Sequence, residues 1–147
     1  MKLCMIGTGY VGLVSGTCFA DLGNKVYCVD KDKKKIENLN AGKSIIYEPG
    51  LNEILKKNYN SGRLIFTTNI AKAVTNSDII FICVGTPNKK NSLKVNLSFV
   101  YKCVKDILKY TKKKKIIITK STVPVGTGDE IEKLVKSKKK LFSILSN

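Results

Sequence analysis

Short apolar runs rich in β-branched residues alternate along the chain with longer segments whose apolar positions recur at helical spacing, a pattern that predicts parallel βαβ units. Lys2 to Ile6 reads as the first strand and Tyr10 to Leu22 as its helix, with Gly23 in the position favoured just past a helix end. Lys25 to Val29 is the second strand. A helix from Asp32 to Ala41 follows, with Ile36 and Leu39 on one face, and Gly42 ends it. Residues 43 to 63 differ in character: a loop, S-I-I-Y-E-P-G, precedes a short helix starting near Pro49, a residue tolerated in a first turn.

Leu64 to Thr67 is the third strand, and Asn69 is placed to cap a helix running to about Asn76. The uninterrupted apolar stretch Ile79 to Val84 suits a fourth strand buried on both faces. A polar loop from Gly85 to Val95, an amphipathic helix from Leu97 to Tyr110 and a fifth strand from Lys115 to Thr119 come next. After the turn S-T-V-P-V-G-T-G, a helix is expected from Asp129 to Ser137 and a sixth strand from Leu141 to Leu145. With no internal repeat, the right-handed crossover rule leaves a doubly wound parallel α/β sheet, helices on both faces, strand order 3-2-1-4-5-6.

A length of 147 residues matches one domain with a self-sufficient core. Residues 1–147 are therefore read as one domain. No apolar run reaches the roughly 18 residues of a membrane span, and Met1 to Ile6 leads straight into Gly7 without a secretory pattern. The chain reads as soluble and cytoplasmic, with no membrane partner. Lys and Arg outnumber Asp and Glu by 27 to 11, but the excess is almost all Lys, scattered over predicted helix faces and loops without a nucleic-acid-binding motif. A solvated basic surface is expected, with no nucleic-acid partner, and its field favours the capture of anionic ligands. The five cysteines, Cys4, Cys18, Cys28, Cys83 and Cys103, show no C-x-x-C spacing, and the chain has no histidine. They read as reduced thiols packed as small hydrophobes, with no metal site.

Chemistry concentrates in Gly7-Thr8-Gly9-Tyr10-Val11-Gly12, a G-x-G-x-x-G between a predicted strand and a predicted helix. Gly7 permits the tight turn, Gly9 lets a pyrophosphate approach the backbone, and Gly12 lets helix and strand pack closely. The helix N-terminus offers its unpaired N–H groups to phosphate. Asp30 ends the second strand, where the fingerprint requires an acid on the ribose hydroxyls. A carboxylate there repels a 2′-phosphate, so the expected cofactor is NAD rather than NADP, with Lys31 and Lys33 to Lys35 working against that preference. The whole is a Rossmann-type arrangement.

Taken together, M-K-L-C-M-I-G-T-G-Y-V-G-L-V-S-G, V-D-K-D at 29–32, I-Y-E-P-G-L at 46–51, G-R-L-I-F-T-T at 62–68, F-I-C-V-G-T-P at 81–87 and K-S-T-V-P-V-G-T at 120–127 resemble the UDP-glucose 6-dehydrogenases over the whole chain, in order. GDP-mannose dehydrogenases and dehydrogenases of UDP-N-acetyl sugars share much of this pattern and stand as alternatives. So does a free-standing NAD-sensing regulatory domain, which would account for the glycines but not for Y-E-P-G-L or K-S-T-V-P-V-G. The resemblance implies cofactor contacts for Tyr10 and Val11 beside the glycines, and for Asp30 and Lys35 at the adenosine end. It implies the same for Val84, Gly85, Thr86 and Pro87 after the fourth strand, and for Ser121 and Thr122 near the nicotinamide. Thr122 is also the candidate catalytic residue, since in the family this threonine helps to hold a water or the reacting hydroxyl. Departures are Asn69 and Asn96, where the family often has Asp, and Glu48 within Y-E-P-G has no chemical task that the sequence reveals.

The resemblance further implies oxidation of a sugar C6 alcohol to a carboxylate in two NAD-dependent steps through a cysteine thioester. The family's G-x-C-F-P-K-D-like nucleophile segment, the Glu of its N-P-E-F and its catalytic Lys and Asn have no counterpart in residues 1–147. The family's central dimerisation helix and UDP-binding domain have none either. The expectation is an NAD-binding domain that holds cofactor without complete catalysis, from an enzyme whose full-length relatives are homo-oligomers acting on a UDP-sugar.

Overall fold

The computed structural model describes residues 1–88 and 94–146. The elements run β1 (Lys2–Ile6), α1 (Tyr10–Asp21), β2 (Lys25–Val29), α2 (Lys33–Asn40), α3 (Leu51–Asn60), β3 (Leu64–Thr67), α4 (Ile70–Asn76) and β4 (Ile79–Ile82). They continue with α5 (Ser98–Tyr110), β5 (Lys115–Thr119), α6 (Thr127–Val135), a 3-10 helix (Lys136–Leu141) and β6 (Phe142–Ser146). One six-stranded sheet in the order β3-β2-β1-β4-β5-β6 results, every pair parallel, as the crossover rule predicts.

Side chains of each strand divide between two cores because successive residues point to opposite faces. Leu3, Met5, Val26, Cys28, Leu64 and Phe66 face α1, α2 and α3, meeting Leu13, Ile36, Leu39 and Leu55. Cys4, Ile6, Tyr27, Val29, Ile80, Ile82 and Ile117 face α4, α5 and α6, meeting Val74, Val104, Ile107 and Ile131. Burying each Leu or Ile contributes about 1.5–3 kcal/mol. Gly16 lets α1 lie flat on the sheet, since a Cβ there would fall 2.7 Å from the Cys28 sulfur.

The expected elements form, with shifted ends. The β4 ladder stops at Ile82, not Val84, because the Ile82 carbonyl accepts from both the Lys120 and Ser121 amides and turns the chains apart. α6 starts at Thr127 rather than Asp129: Gly126 takes a left-handed φ of 87° and the Thr127 hydroxyl donates to the Pro124 carbonyl at 2.7 Å. Its C-terminal end passes into the 3-10 helix before β6. α3 starts at Leu51, two residues after Pro49, because Gly50 at its N-cap has a φ of 77°. Asn69 caps α4 as expected, accepting from the Lys72 amide at 2.9 Å, while Asp32, expected inside its helix, caps α2 instead by accepting from the Lys35 amide at 3.1 Å. Of the expected 85–95 loop, residues 89–93 lie outside the described residues, and an isolated bridge pairs Asn88 with Val95 across them.

Four of the cysteines, Cys4, Cys28, Cys83 and Cys103, are buried and Cys18 is exposed; all are free thiols. Burial pushes the Cys83 thiol up to about 12 and the Cys103 thiol to about 11, so neither ionises near neutrality. That leaves them as packing groups, as their place in apolar runs suggests.

Tyr101 on α5 donates its phenolic hydrogen to Glu130 on α6. This hydrogen bond, aided by desolvation and the carboxylate charge, raises the phenol from 10.0 to about 12. A folded value above the ordinary one means that the bond's contribution is whole below pH 10.0 and is lost as the pH climbs to about 12. Thermal unfolding of the native chain and Tyr101→Phe should therefore differ by a constant amount at lower pH and converge by about pH 12. A gap that persists at that pH would contradict the assignment.

Candidate cofactor site

The strand order reverses between β1 and β4, and a crevice opens there at the carboxyl ends of the strands, where open α/β sheets bind their ligands. A cleft of about 540 Å³ occupies it. β1 and the turn after it supply Ile6, Gly7 and Gly9; the end of β2 supplies Asp30, Lys31 and, from α2, Lys35. Val84, Gly85 and Pro87 follow β4, and α5 presents Phe99, Lys102 and Asp106 from one face.

The β1–α1 turn owes its shape to its neighbours. Gly7 has a φ of 102°, and a Cβ there would lie 2.7 Å from the Cys83 carbonyl oxygen. A Cβ on Gly12 would fall 1.9 Å from the Gly7 oxygen, so the turn closes on itself only with glycine at both places. Gly9 is different. Its φ of −72° is open to any residue, and a Cβ there would meet nothing within 4 Å. The unliganded fold places no demand for glycine at this position.

Above Gly9 the helix is primed for an anion. The first intrahelical bond of α1 runs from the Leu13 amide to the Gly9 oxygen at 2.9 Å, so the amides of Tyr10, Val11 and Gly12 precede it. No side chain caps them and no acid sits in the first turn, which leaves the positive end of the helix dipole for phosphate.

Asp30 anchors the turn from the side. One oxygen, Oδ2, accepts the Thr8 amide at 3.0 Å, the Thr8 hydroxyl at 2.9 Å and the Lys35 ammonium at 3.1 Å. Oδ1 accepts the Asp32 amide at 3.2 Å. Burial favours the neutral acid, but these four donors outweigh it and hold the carboxyl below its ordinary value, so Asp30 is a carboxylate at neutral pH. Its outer oxygen has acceptor capacity for a ribose hydroxyl.

Across the crevice, the Thr86 hydroxyl donates to the Thr122 carbonyl at 2.9 Å, and the Ser121 hydroxyl to the Val84 carbonyl at 2.7 Å. The loops after β4 and β5 are thus laced together. Of the residues expected at the site, Gly7, Gly9, Asp30, Lys35, Val84, Gly85 and Pro87 line the cleft. Tyr10 and Val11 stand exposed at the start of α1, and Gly12 lies buried beneath them. Thr86, Ser121 and Thr122 sit in the joined loops beside the cleft rather than in its wall.

Sequence reasoning missed Thr8, whose hydroxyl and amide both bind Asp30, and the α5 face. Thr8 is wholly buried, and its position between the two glycines was a signal for it. Phe99, Lys102 and Asp106 carry a helical spacing, but nothing in that spacing says that α5 leans over the β1–β4 crevice. Lys31 reaches the Phe99 ring, with its ammonium 4.9 Å from the centroid, so that wall of the cleft offers an aromatic ring with a cation against it. Among the described residues no group of acids and cysteines is placed to hold a metal ion.

A doubly wound sheet with a glycine turn, an open helix N-terminus and an acid after β2 defines a dinucleotide-binding domain. The chain belongs to the UDP-glucose/GDP-mannose dehydrogenase family, whose NAD binding domain matches residues 1–147. It is 50% identical over 136 residues to UDP-glucose 6-dehydrogenase of Rhizobium meliloti (strain 1021), covering 92% of this chain and 31% of that protein. It is 42% identical to UDP-glucose 6-dehydrogenase of Rickettsia prowazekii (strain Madrid E), over 100% of this chain and 34% of the relative. The crystal structure of GDP-mannose dehydrogenase from Pseudomonas aeruginosa superposes with a TM-score of 0.93 at 35% identity, over 100% of this chain and 36% of that one. The chain thus spans about a third of the length of these relatives.

Two glycine substitutions separate fold from ligand. Gly12→Ala should destabilise the chain by about 1–3 kcal/mol, because helix and turn must part to admit the methyl. Gly9→Ala should leave the unfolding midpoint unchanged and weaken NADH binding at least about tenfold, or ~1.4 kcal/mol. Fluorescence titration and thermal melts decide it; a Gly9→Ala chain that binds NADH normally would show that the diphosphate does not lie there.

Proposed function

We propose that this chain is the cofactor-binding part of a dehydrogenase that oxidises the C6 alcohol of UDP-glucose. The observation that carries the reading is Gly9, a glycine that the fold itself does not use, set under uncapped helix amides. The diphosphate lies over Gly9 and the amides of Tyr10, Val11 and Gly12. Asp30 and Lys35 hold the adenosine ribose, and the adenine enters the cleft towards Phe99. Val84, Gly85, Thr86 and Pro87 support the middle of the cofactor. Ser121 and Thr122 border the nicotinamide, with Thr122 holding the reacting hydroxyl or a water.

When bound, NAD supplies the hydride acceptor. The residues present orient it and exclude water from one face. Orientation of this kind accounts for about 7–11 kcal/mol of barrier reduction when both partners are held. UDP-glucose is favoured as substrate because the UDP-glucose 6-dehydrogenase of Rhizobium meliloti is 50% identical over 136 residues.

An ionised Asp30 accepts ribose hydroxyls and repels a 2′-phosphate, so NADH should bind more tightly than NADPH, with the gap narrowing in Asp30→Asn. Equal or tighter NADPH binding by the native chain would overturn the assignment and point to Lys31 and Lys35 instead. The 147 residues given NAD and UDP-glucose should produce no measurable NADH, since a missing positioned base alone costs ~10²–10⁴ in rate. Steady turnover would place the reacting groups within residues 1–147.

A further inference from the structure

The segment between α2 and α3 carries Y-E-P-G-L, and the cofactor contacts above leave it unused. Its local order comes from Ser44, whose hydroxyl donates to the Ile46 carbonyl at 2.7 Å and accepts the Ile46 amide at 3.1 Å. Tyr47 stands 92% exposed, and Glu48 reaches back across the molecule. Its Oε2 accepts the hydroxyl of Tyr10, the first residue of α1, at 2.7 Å.

A brace for the fold is a poor account of this bond. Both partners lie at the surface, where an isolated pair spends side-chain entropy and adds little stability. α3 is already fixed to α1 by other means. Leu51 and Leu55 are buried, the Asn58 amide donates to Asp21 at 3.0 Å, and Lys57 pairs with Asp21 at 2.9 Å. A carboxylate acting by charge alone would oppose the binding of an anionic cofactor at this helix end. What remains is geometry. The Gly7–Gly12 turn is held at Gly7 by the Val29 carbonyl and at Thr8 by Asp30, and Glu48 grips it further on, at Tyr10.

We propose that Glu48 is a positioning residue for the cofactor diphosphate, acting through Tyr10 to fix the first turn of α1. This rests on the reading that the turn holds the diphosphate. Two acids then clamp the turn, Asp30 through Thr8 and Glu48 through Tyr10. The hydrogen bond needs the phenol protonated, and it holds Tyr10 above its ordinary value, so the clamp persists across the neutral range.

NADH titration of the whole chain, beside thermal melts without ligand, tests this in Glu48→Ala, Glu48→Gln, Tyr10→Phe and the double variant Tyr10→Phe/Glu48→Ala. Glu48→Ala and Tyr10→Phe should each weaken NADH binding about tenfold, and the double variant should bind no worse than either single one. Glu48→Gln keeps an acceptor and should bind nearly as the native chain does, while all four melt at the native temperature. Glu48→Ala binding that equals or exceeds the native value would overturn the proposal, as would additive losses. Losses in proportion to lowered melting temperatures would make Glu48 structural only. Failure of the native chain to bind NADH would instead refute the site itself, and the proposal with it.

Discussion

The bonds from Thr8 to Asp30 are the constraint on which the site depends. A turn that closes on itself through Gly7 and Gly12 needs a partner outside it to register it against the sheet. Asp30 does so from the end of the neighbouring strand, with two bonds to one residue. Parallel pairing of β1 with β2 sets Ile6 beside Val29, which brings the turn and the acid level with each other. The same carboxylate is steadied by Lys35 and by the Asp32 amide at the start of α2. Sheet register, turn and the Asp30 carboxylate are therefore one mechanical unit.

Charge is distributed with a similar economy. The net charge of +16 looks like a binding signal when read from composition. Among the described residues, Lys31, Lys35 and Lys102 are the lysines that line the cleft. Many others gather at the opposite, amino edge of the sheet, where Lys2 pairs with Lys25 in register and Lys112, Lys113 and Lys114 precede β5. Lys115 is buried there and donates to the Ser77 carbonyl, and desolvation holds its ammonium below the usual lysine value. At the cleft, those three side chains stand with the open end of α1.

Much of this was legible in the sequence because the signals are local. Apolar runs of strand length, the glycine spacing and Asp30 at a strand end each carry their meaning within a few residues, and the sheet order followed from connection rules. Element ends were less legible, since they depend on tertiary bonds. The Ile82 carbonyl is taken by the β5 turn, and the positive φ of Gly126 starts α6 early. What stayed hidden was the long-range part of the site. Phe99 enters the cleft because α5 leans across a crevice, and Glu48 meets a tyrosine 38 positions away. A motif can show that Y-E-P-G belongs to the family without showing what its acid touches.

Backbone amide spectra of the labelled chain, recorded as NADH is added, test the central claim most directly. The largest shifts should fall on Thr8 to Leu13, with smaller ones at Asp30 and at Val84 to Thr86, and the amino-edge residues Lys2, Lys25 and Lys113 should not move. Shifts centred on the amino edge, or spread over the lysine-rich surface without the Gly9 region, would contradict it.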